Sequence, residues 1–130
     1  MGFVLLHQSK IKVALITAKG SKAVLRRARE IGAVEVKQNA TDKLKAFNQI
    51  LKKHRLRAQD TCFIGDDLVD LPVMKRAGLA VAVTNACSEV KRAAHYVTKK
   101  EGGKGAVREV IEIILRAQDI WRRVTKQFSR

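Results

Sequence analysis

At 130 residues, 46% hydrophobic and 30% charged, the chain is sized for one domain with a real core and is too apolar for a disordered segment. Its 27 Lys and Arg against 12 Asp and Glu give a formal charge of +15, which favours anionic partners without naming one: phosphate esters, nucleic acid or an acidic membrane surface. Cys62 and Cys87 have no metal or CxxC spacing, no apolar run nears bilayer length, and Met1 to Leu6 is too short for a secretory signal, so free thiols and a cytoplasmic protein with no membrane partner are expected.

In chain order, residues 1 to 9 read as the end of a helix, with Phe3 to Leu6 apolar and uncapped. Lys12 to Thr17 is a continuous apolar strand of the kind covered on both faces in a parallel sheet. Ser21 caps a helix from Lys22 to Ile31, and Gly32 ends it. Thr17 closes the strand ahead of Ala18-Lys19-Gly20, a strand-to-helix transition where phosphate oxygens often sit. It could equally be a strand-end hydroxyl with no ligand.

Ala33 to Lys37 is a second short strand. Thr41 or Asp42 caps a helix from about Lys43 to His54, with Leu44, Phe47, Ile50 and Leu51 on its apolar face. A buried strand follows at Thr61 to Ile64, then a helix through Met74 to Ala77 that Gly78 stops. Leu79 to Val83 is a strand, Ser88 to Ala94 a helix and Tyr96-Val97 an edge strand. A Gly-rich loop, 102 to 105, leads into a helix from Ala106 to beyond Trp121. Residues 122 to 130 form a basic tail that is expected to fray. Strand and helix alternate four times, which predicts an α/β fold: a three-layer, Rossmann-like parallel sheet with helices on both faces.

Gly65-Asp66-Asp67-Leu68-Val69-Asp70 is the densest chemistry in the chain. Three carboxylates in one turn at the carboxyl end of a strand are costly unless a cation offsets them. Mg²⁺ fits that need, because it binds through one or two carboxylates plus waters and phosphate. The alternative is that Asp66 only caps a helix while the others are solvated.

Four pieces together resemble the haloacid dehalogenase superfamily of phosphatases. These are Leu15-Ile16-Thr17, Asp42-Lys43-Leu44, the acidic turn with Leu71-Pro72-Val73-Met74, and the run Gly102-Gly103-Lys104-Gly105-Ala106-Val107-Arg108-Glu109. The resemblance covers residues 1 to 121 as one domain and is nearest to the branch that serves lipopolysaccharide sugar synthesis. It implies Mg²⁺-dependent hydrolysis of a sugar phosphate. It also implies a catalytic set in which Thr17 bonds the phosphoryl group, Lys43 neutralises it and Asp70 orients Lys43 or the metal's waters. By the same resemblance Asp66 is the direct Mg²⁺ ligand and Asp67 a ligand through water. Lys104 and Arg108 become substrate-contact candidates, since the Gly-rich segment of relatives closes over a neighbouring subunit in a homotetramer.

The resemblance also implies what these residues lack. The family's nucleophile is an aspartate in an Asp-x-Asp motif on the first, central strand, followed by a flap hairpin. No aspartate precedes Asp42 here, and Ala18-Lys19 replaces the usual Gly-Arg. The first central strand would lie between the strands that end at Thr17 and Gly65, so its loss predicts a gap in the sheet or a forced pairing of its neighbours. These 130 residues are expected to lack turnover, because metal and lysine supply no attacking group. The competing expectation is a non-catalytic module that keeps a phosphate and metal half-site or a subunit-assembly surface. Nucleic-acid binding fits the charge but finds no recognisable motif and only one Tyr and one Trp.

Overall fold

The computed structural model describes residues 11–102 and 105–128; the reading of residues 1 to 9 as a helix end lies outside them. The elements in order are β1 (Ala14–Ile16), α1 (Lys22–Ile31), β2 (Glu35–Lys37), α2 (Lys43–His54), β3 (Cys62–Gly65), α3 (Leu71–Met74), β4 (Leu79–Ala82), α4 (Ser88–Ala93), β5 (Tyr96–Val97) and α5 (Ala106–Phe128). Short 3₁₀ turns at Ala58–Asp60 and Leu68–Asp70 precede β3 and α3.

The α/β alternation is as expected, and the sheet is divided. β1 pairs with β2, while β3, β4 and β5 form a second sheet in that order. Every pairing is parallel, with Ala14 opposite Glu35, Phe63 opposite Ala80 and Val81 opposite Tyr96. Of the two outcomes foreseen for a missing central strand, the gap is the one seen among the described residues, where β1 pairs only with β2 and β3 only with β4.

Local chemistry accounts for the helices. The Ser21 hydroxyl accepts from the Val24 N–H at 3.1 Å and caps α1, which ends at Gly32 with φ of 69°. Asp42, rather than Thr41, caps α2 by accepting from the Lys45 N–H at 3.0 Å. The helix anticipated through Ala77 is a 3₁₀ turn plus one helical turn. Asp70 draws the Asp66 and Asp67 amides onto its own side chain, and Pro72 supplies the fixed φ that starts a helix. The basic tail differs too, since α5 stays helical to Phe128, with Arg123 paired to Asp119 at 2.8 Å along its surface.

α2 holds the two sheets side by side. At its carboxyl end His54 Nδ1 accepts from the Lys12 ammonium at 3.3 Å, and His54 Nε2 lies 3.5 Å from Glu35 Oε1 on β2. In its middle, Phe47 meets Phe63 of β3 edge to face, with ring centroids 6.4 Å apart. The core of the larger sheet gathers Met74, Ala80, Ala82, Val83, Ala86, Val90 and Ala106, with Phe63, Ile64 and Leu71 packed against it.

Gly78 marks a close approach. Its N–H donates to Ala58 O at 3.0 Å, and a Cβ there would fall 2.0 Å from the Gln59 carbonyl oxygen. Backbone is the obstacle, so no rotamer change relieves it. Gly78→Ala is expected to cost about 1–3 kcal/mol, read as a lower urea midpoint with an unchanged slope.

The loop after β5 is stitched to its surroundings by one carboxylate. Glu109, in the first turn of α5, accepts from the Lys100 N–H at 2.8 Å, the Lys99 N–H at 2.9 Å and the Tyr96 hydroxyl. The Tyr96 bond, helped by those backbone bonds, holds the Glu109 carboxyl below its ordinary 4.5. Because the folded-state value is depressed, this contribution is complete above 4.5 and is lost as pH falls through the lowered value. Glu109→Gln is therefore expected to lower Tm at neutral pH and to converge on the parent in acid. A pH-independent difference would contradict the charge-based account.

Candidate active site

The site is built at the carboxyl ends of the strands, where parallel sheets place their ligands. Gly65 ends β3 and lets the chain fold back on itself: a Cβ on it would lie 2.7 Å from Met74 Sδ and 2.9 Å from Asp70 Cβ. Asp70 fills that space and is 2% exposed. Its Oδ2 accepts from the Asp66 N–H at 3.0 Å and the Asp67 N–H at 3.2 Å, which fixes the shape of the acidic turn. Its Oδ1 accepts from the Lys43 ammonium at 2.7 Å. Asp67 Oδ1 takes the Leu68 N–H at 2.7 Å and caps the following turn.

That ion pair joins the two sheets. Lys43 opens α2 directly after β2 and its loop, and Asp70 follows β3. The Lys43 side chain is 13% exposed, so the pair sits in a partly desolvated place where its geometry is held. Taken alone Lys43 is an ordinary helix lysine; only the family resemblance set it beside Asp70, and the structure brings it to the acidic turn.

The carboxylates divide by environment. Burial pushes the Asp70 carboxyl up, but the Lys43 bond and the two backbone amides outweigh it, and the net value lies below the usual range. Asp66 goes the other way. Burial raises it, the Asp70 carboxyl beside it raises it further, and Lys43 offsets only part of this. Asp66 is thus a carboxylate whose charge the protein compensates only in part, as suits a cation ligand.

The candidates do not all converge. Asp66, Asp67, Asp70 and Lys43 are brought together. Asp70 is fully engaged by protein groups, and no cluster of three or more His, Cys, Asp or Glu side chains is poised for a metal among the described residues. The donor set that remains is Asp66 and Asp67, which fits Mg²⁺ completed by waters and phosphate. Thr17 stands at the end of β1, where its hydroxyl donates to Lys19 O at 2.7 Å. Arg108 bonds Glu112 one turn along α5 at 3.2 Å and makes no hydrogen bond to the acidic turn. Lys104 lies outside the described residues.

Sequence reading missed the clamp that holds the Gly-rich loop. Besides Glu109, Asn85 Oδ1 accepts from the Gly102 N–H at 2.9 Å, and the buried Thr98 hydroxyl accepts from the Thr84 N–H at 3.1 Å. These bonds tie the loops after β4 and β5 together. Glu109 lies within a run quoted for its glycines, and a single sequence gives no sign that its carboxylate turns back toward β5.

Comparison with known proteins adds to this geometry. A family model described as haloacid dehalogenase-like hydrolase matches residues 7–111. The chain is 43% identical over 118 residues to a 3-deoxy-D-manno-octulosonate 8-phosphate phosphatase of Yersinia pestis, covering 91% of this chain and 63% of that protein. A crystal structure of a phosphatase of that name from Yersinia pestis superposes with a TM-score of 0.88, covering 91% of this chain and 64% of the other at 43% identity. A Moraxella catarrhalis phosphatase of the same name, solved with magnesium ion, phosphate ion and KDO, superposes with a TM-score of 0.88 at 40% identity, covering 98% of this chain and 73% of that one. Against the curated relatives from Yersinia pestis and Salmonella typhi, the chain spans 63% and 58% of their length.

Proposed function

The chain belongs to the haloacid dehalogenase-like hydrolase family, and from that premise we propose that it is the metal- and phosphate-binding portion of a sugar-phosphate phosphatase. The substrate is 3-deoxy-D-manno-octulosonate 8-phosphate, hydrolysed to 3-deoxy-D-manno-octulosonate and phosphate in lipopolysaccharide biosynthesis. The observation that carries this reading is the Lys43–Asp70 pair at 2.7 Å, set against an Asp66 whose charge the protein compensates only in part. The relatives from Yersinia pestis and Moraxella catarrhalis supply the substrate by their names.

Each residue then has a role. Asp66 ligates Mg²⁺ directly and Asp67 does so through water. Bound Mg²⁺ supplies charge neutralisation at the phosphoryl oxygens. Lys43 presents its ammonium to the same oxygens, held there by Asp70, which it needs because a lysine side chain is otherwise mobile. The Thr17 hydroxyl exchanges its bond to Lys19 O for a phosphoryl oxygen. Arg108 and Lys104 lie on the segment that contacts substrate in a homotetramer, as the resemblance implies.

Covalent phosphoryl transfer needs a carboxylate in line with phosphorus and opposite the leaving sugar oxygen. Asp70 is buried against Lys43, and Asp66 and Asp67 are assigned to the metal. The 130 residues alone are therefore proposed to bind Mg²⁺ and phosphate without turning substrate over. The test is phosphate release from 3-deoxy-D-manno-octulosonate 8-phosphate by this polypeptide with Mg²⁺, alongside Mg²⁺ and phosphate binding by calorimetry. Binding without release is expected. Release abolished by Asp66→Ala would mean that an unassigned group attacks phosphorus; absence of Mg²⁺ and phosphate binding would sink the whole assignment.

A further inference from the structure

α2 is one-sided in its charge. Its 12 residues, Lys43–His54, hold four lysines and no acidic residue. Two of the four are engaged within the fold: Lys43 donates to Asp70 at 2.7 Å, and Lys53 pairs with Glu35. Lys45 and Lys52 are exposed and have no ion pair among the described residues. The same holds for Arg55, which follows the helix with φ of 55°. The nearby acids are committed, since Asp42 accepts from the Lys45 N–H at 3.0 Å and Asp60 holds Arg57 at 3.2 Å.

The free charges share one side. Ala46, Phe47 and Ile50 are buried and fix the inner face of α2. The outer face carries Lys45, Asn48, Gln49 and Lys52, all exposed and spaced to stand in line on a helix. An open depression runs along it, lined by Leu44, Lys45, Asn48, Gln49 and Lys52, with Asp42 at its amino end. At a rise of about 1.5 Å per residue, Lys45 and Lys52 stand about 10.5 Å apart along the axis. That is about three phosphate steps of one duplex strand, at about 3.4 Å each. The Asn48 and Gln49 amides lie between the two cations, and such amides donate to phosphate oxygens.

We infer that the outer face of α2, with Arg55, binds the phosphodiester backbone of nucleic acid without reading its sequence. Cations and amides suffice for that contact, so no base-reading motif is needed. No aromatic residue lies on the face, which rules out stacking of bases there. An anionic membrane fits less well: Phe47 and Ile50 are buried, and every exposed position of α2 is Lys, Asn or Gln, with no apolar anchor. The face uses none of the residues assigned to phosphate hydrolysis and does not rest on that assignment.

The test titrates the whole 130-residue protein onto a fluorescein-labelled, mixed-sequence DNA duplex, read by anisotropy between about 50 and 200 mM KCl. Three phosphate contacts contribute a slope of about −2.7 in log K against log salt, or about 40-fold across that range. Lys45→Gln, Lys52→Gln and Arg55→Gln together are expected to remove that contribution, and Lys52→Gln alone to remove about 0.9 of it. A control triple, Lys22→Gln, Arg26→Gln and Arg29→Gln, takes the same charge from exposed positions of α1 and is expected to keep the parent slope. Equal loss in both triples would make net charge the cause and overturn the inference. Displacement of the duplex by inorganic phosphate at matched ionic strength, or binding to phosphatidylserine vesicles in place of the duplex, would overturn it too. Both triples are expected to keep the parent's Tm and its binding of Mg²⁺ and phosphate, so a failure here is distinct from a failure of the phosphatase assignment.

Discussion

Asp70→Ala is expected to be the most destabilising single change in the acidic turn, costing about 3–5 kcal/mol. The substitution leaves the Lys43 ammonium partly buried without its 2.7 Å partner and removes the acceptor of the Asp66 and Asp67 amides. Against a typical domain stability of about 5–15 kcal/mol, the loss is a large fraction of the whole. It also cuts an ion pair between α2 and the turn after β3, a link across the divided sheet that secondary structure alone does not replace. Asp70→Asn keeps the shape and an acceptor oxygen and is expected to cost less. Adding Lys43→Met to Asp70→Ala removes the stranded charge and is expected to recover part of the loss.

Urea unfolding of the four proteins gives the comparison. The charge contribution also has a pH signature. Asp70 is depressed in the folded state, so its stabilisation is present above its ordinary 3.8 and disappears as pH falls through the lowered value. A cost for Asp70→Ala within about 1 kcal/mol of a surface change would mean that the pair does not hold the sheets together.

How much of this was legible in the sequence follows from the range of the interactions. Local rules found α1 and α2 to the residue, because Ser21, Gly32 and Asp42 act on their immediate neighbours. The same rules overran at the helix expected through Ala77. There a side chain three to four residues downstream competes for the amides of the turn, and Asp70 wins. At the other end, α5 runs beyond Trp121 as expected, and the residues expected to fray stay helical to Phe128, where pairing along the helix surface, as at Arg123 and Asp119, supports it. The gap in the sheet was legible only as two alternatives, since strand spacing depends on α2, which both sheets share. The site splits in the same way. Lys43 and Asp70 are 27 positions apart, and only the family pattern linked them. Nothing in one sequence says that Thr17 turns its hydroxyl to Lys19 O or that Glu109 gathers Lys99 and Lys100.

Asp66→Asn is expected to act in opposite directions on metal binding and on stability. Without metal, Asp66 holds a charge that burial and the neighbouring Asp70 make unfavourable, so its folded value lies above the ordinary 3.8. A raised acid costs stability wherever it is ionised, from its unfolded value upward, so the cost persists at neutral pH and vanishes in acid. The amide carries no charge. The metal-free Asn protein is therefore expected to unfold later than the parent at pH 7 and alongside it below pH 3.8. With Mg²⁺ the order reverses. The parent gains stability in proportion to ligand saturation, while the variant, having lost a direct ligand, binds Mg²⁺ weaker by more than roughly 100-fold, the upper end for groups one shell further out. Thermal unfolding with and without Mg²⁺, at two pH values, separates the possibilities. A variant less stable than the parent without metal would make Asp66 a structural cap. A variant more stable without metal yet stabilised by Mg²⁺ as strongly as the parent would move the cation elsewhere. Only the crossover expected here joins the strain in the turn to the ion that relieves it.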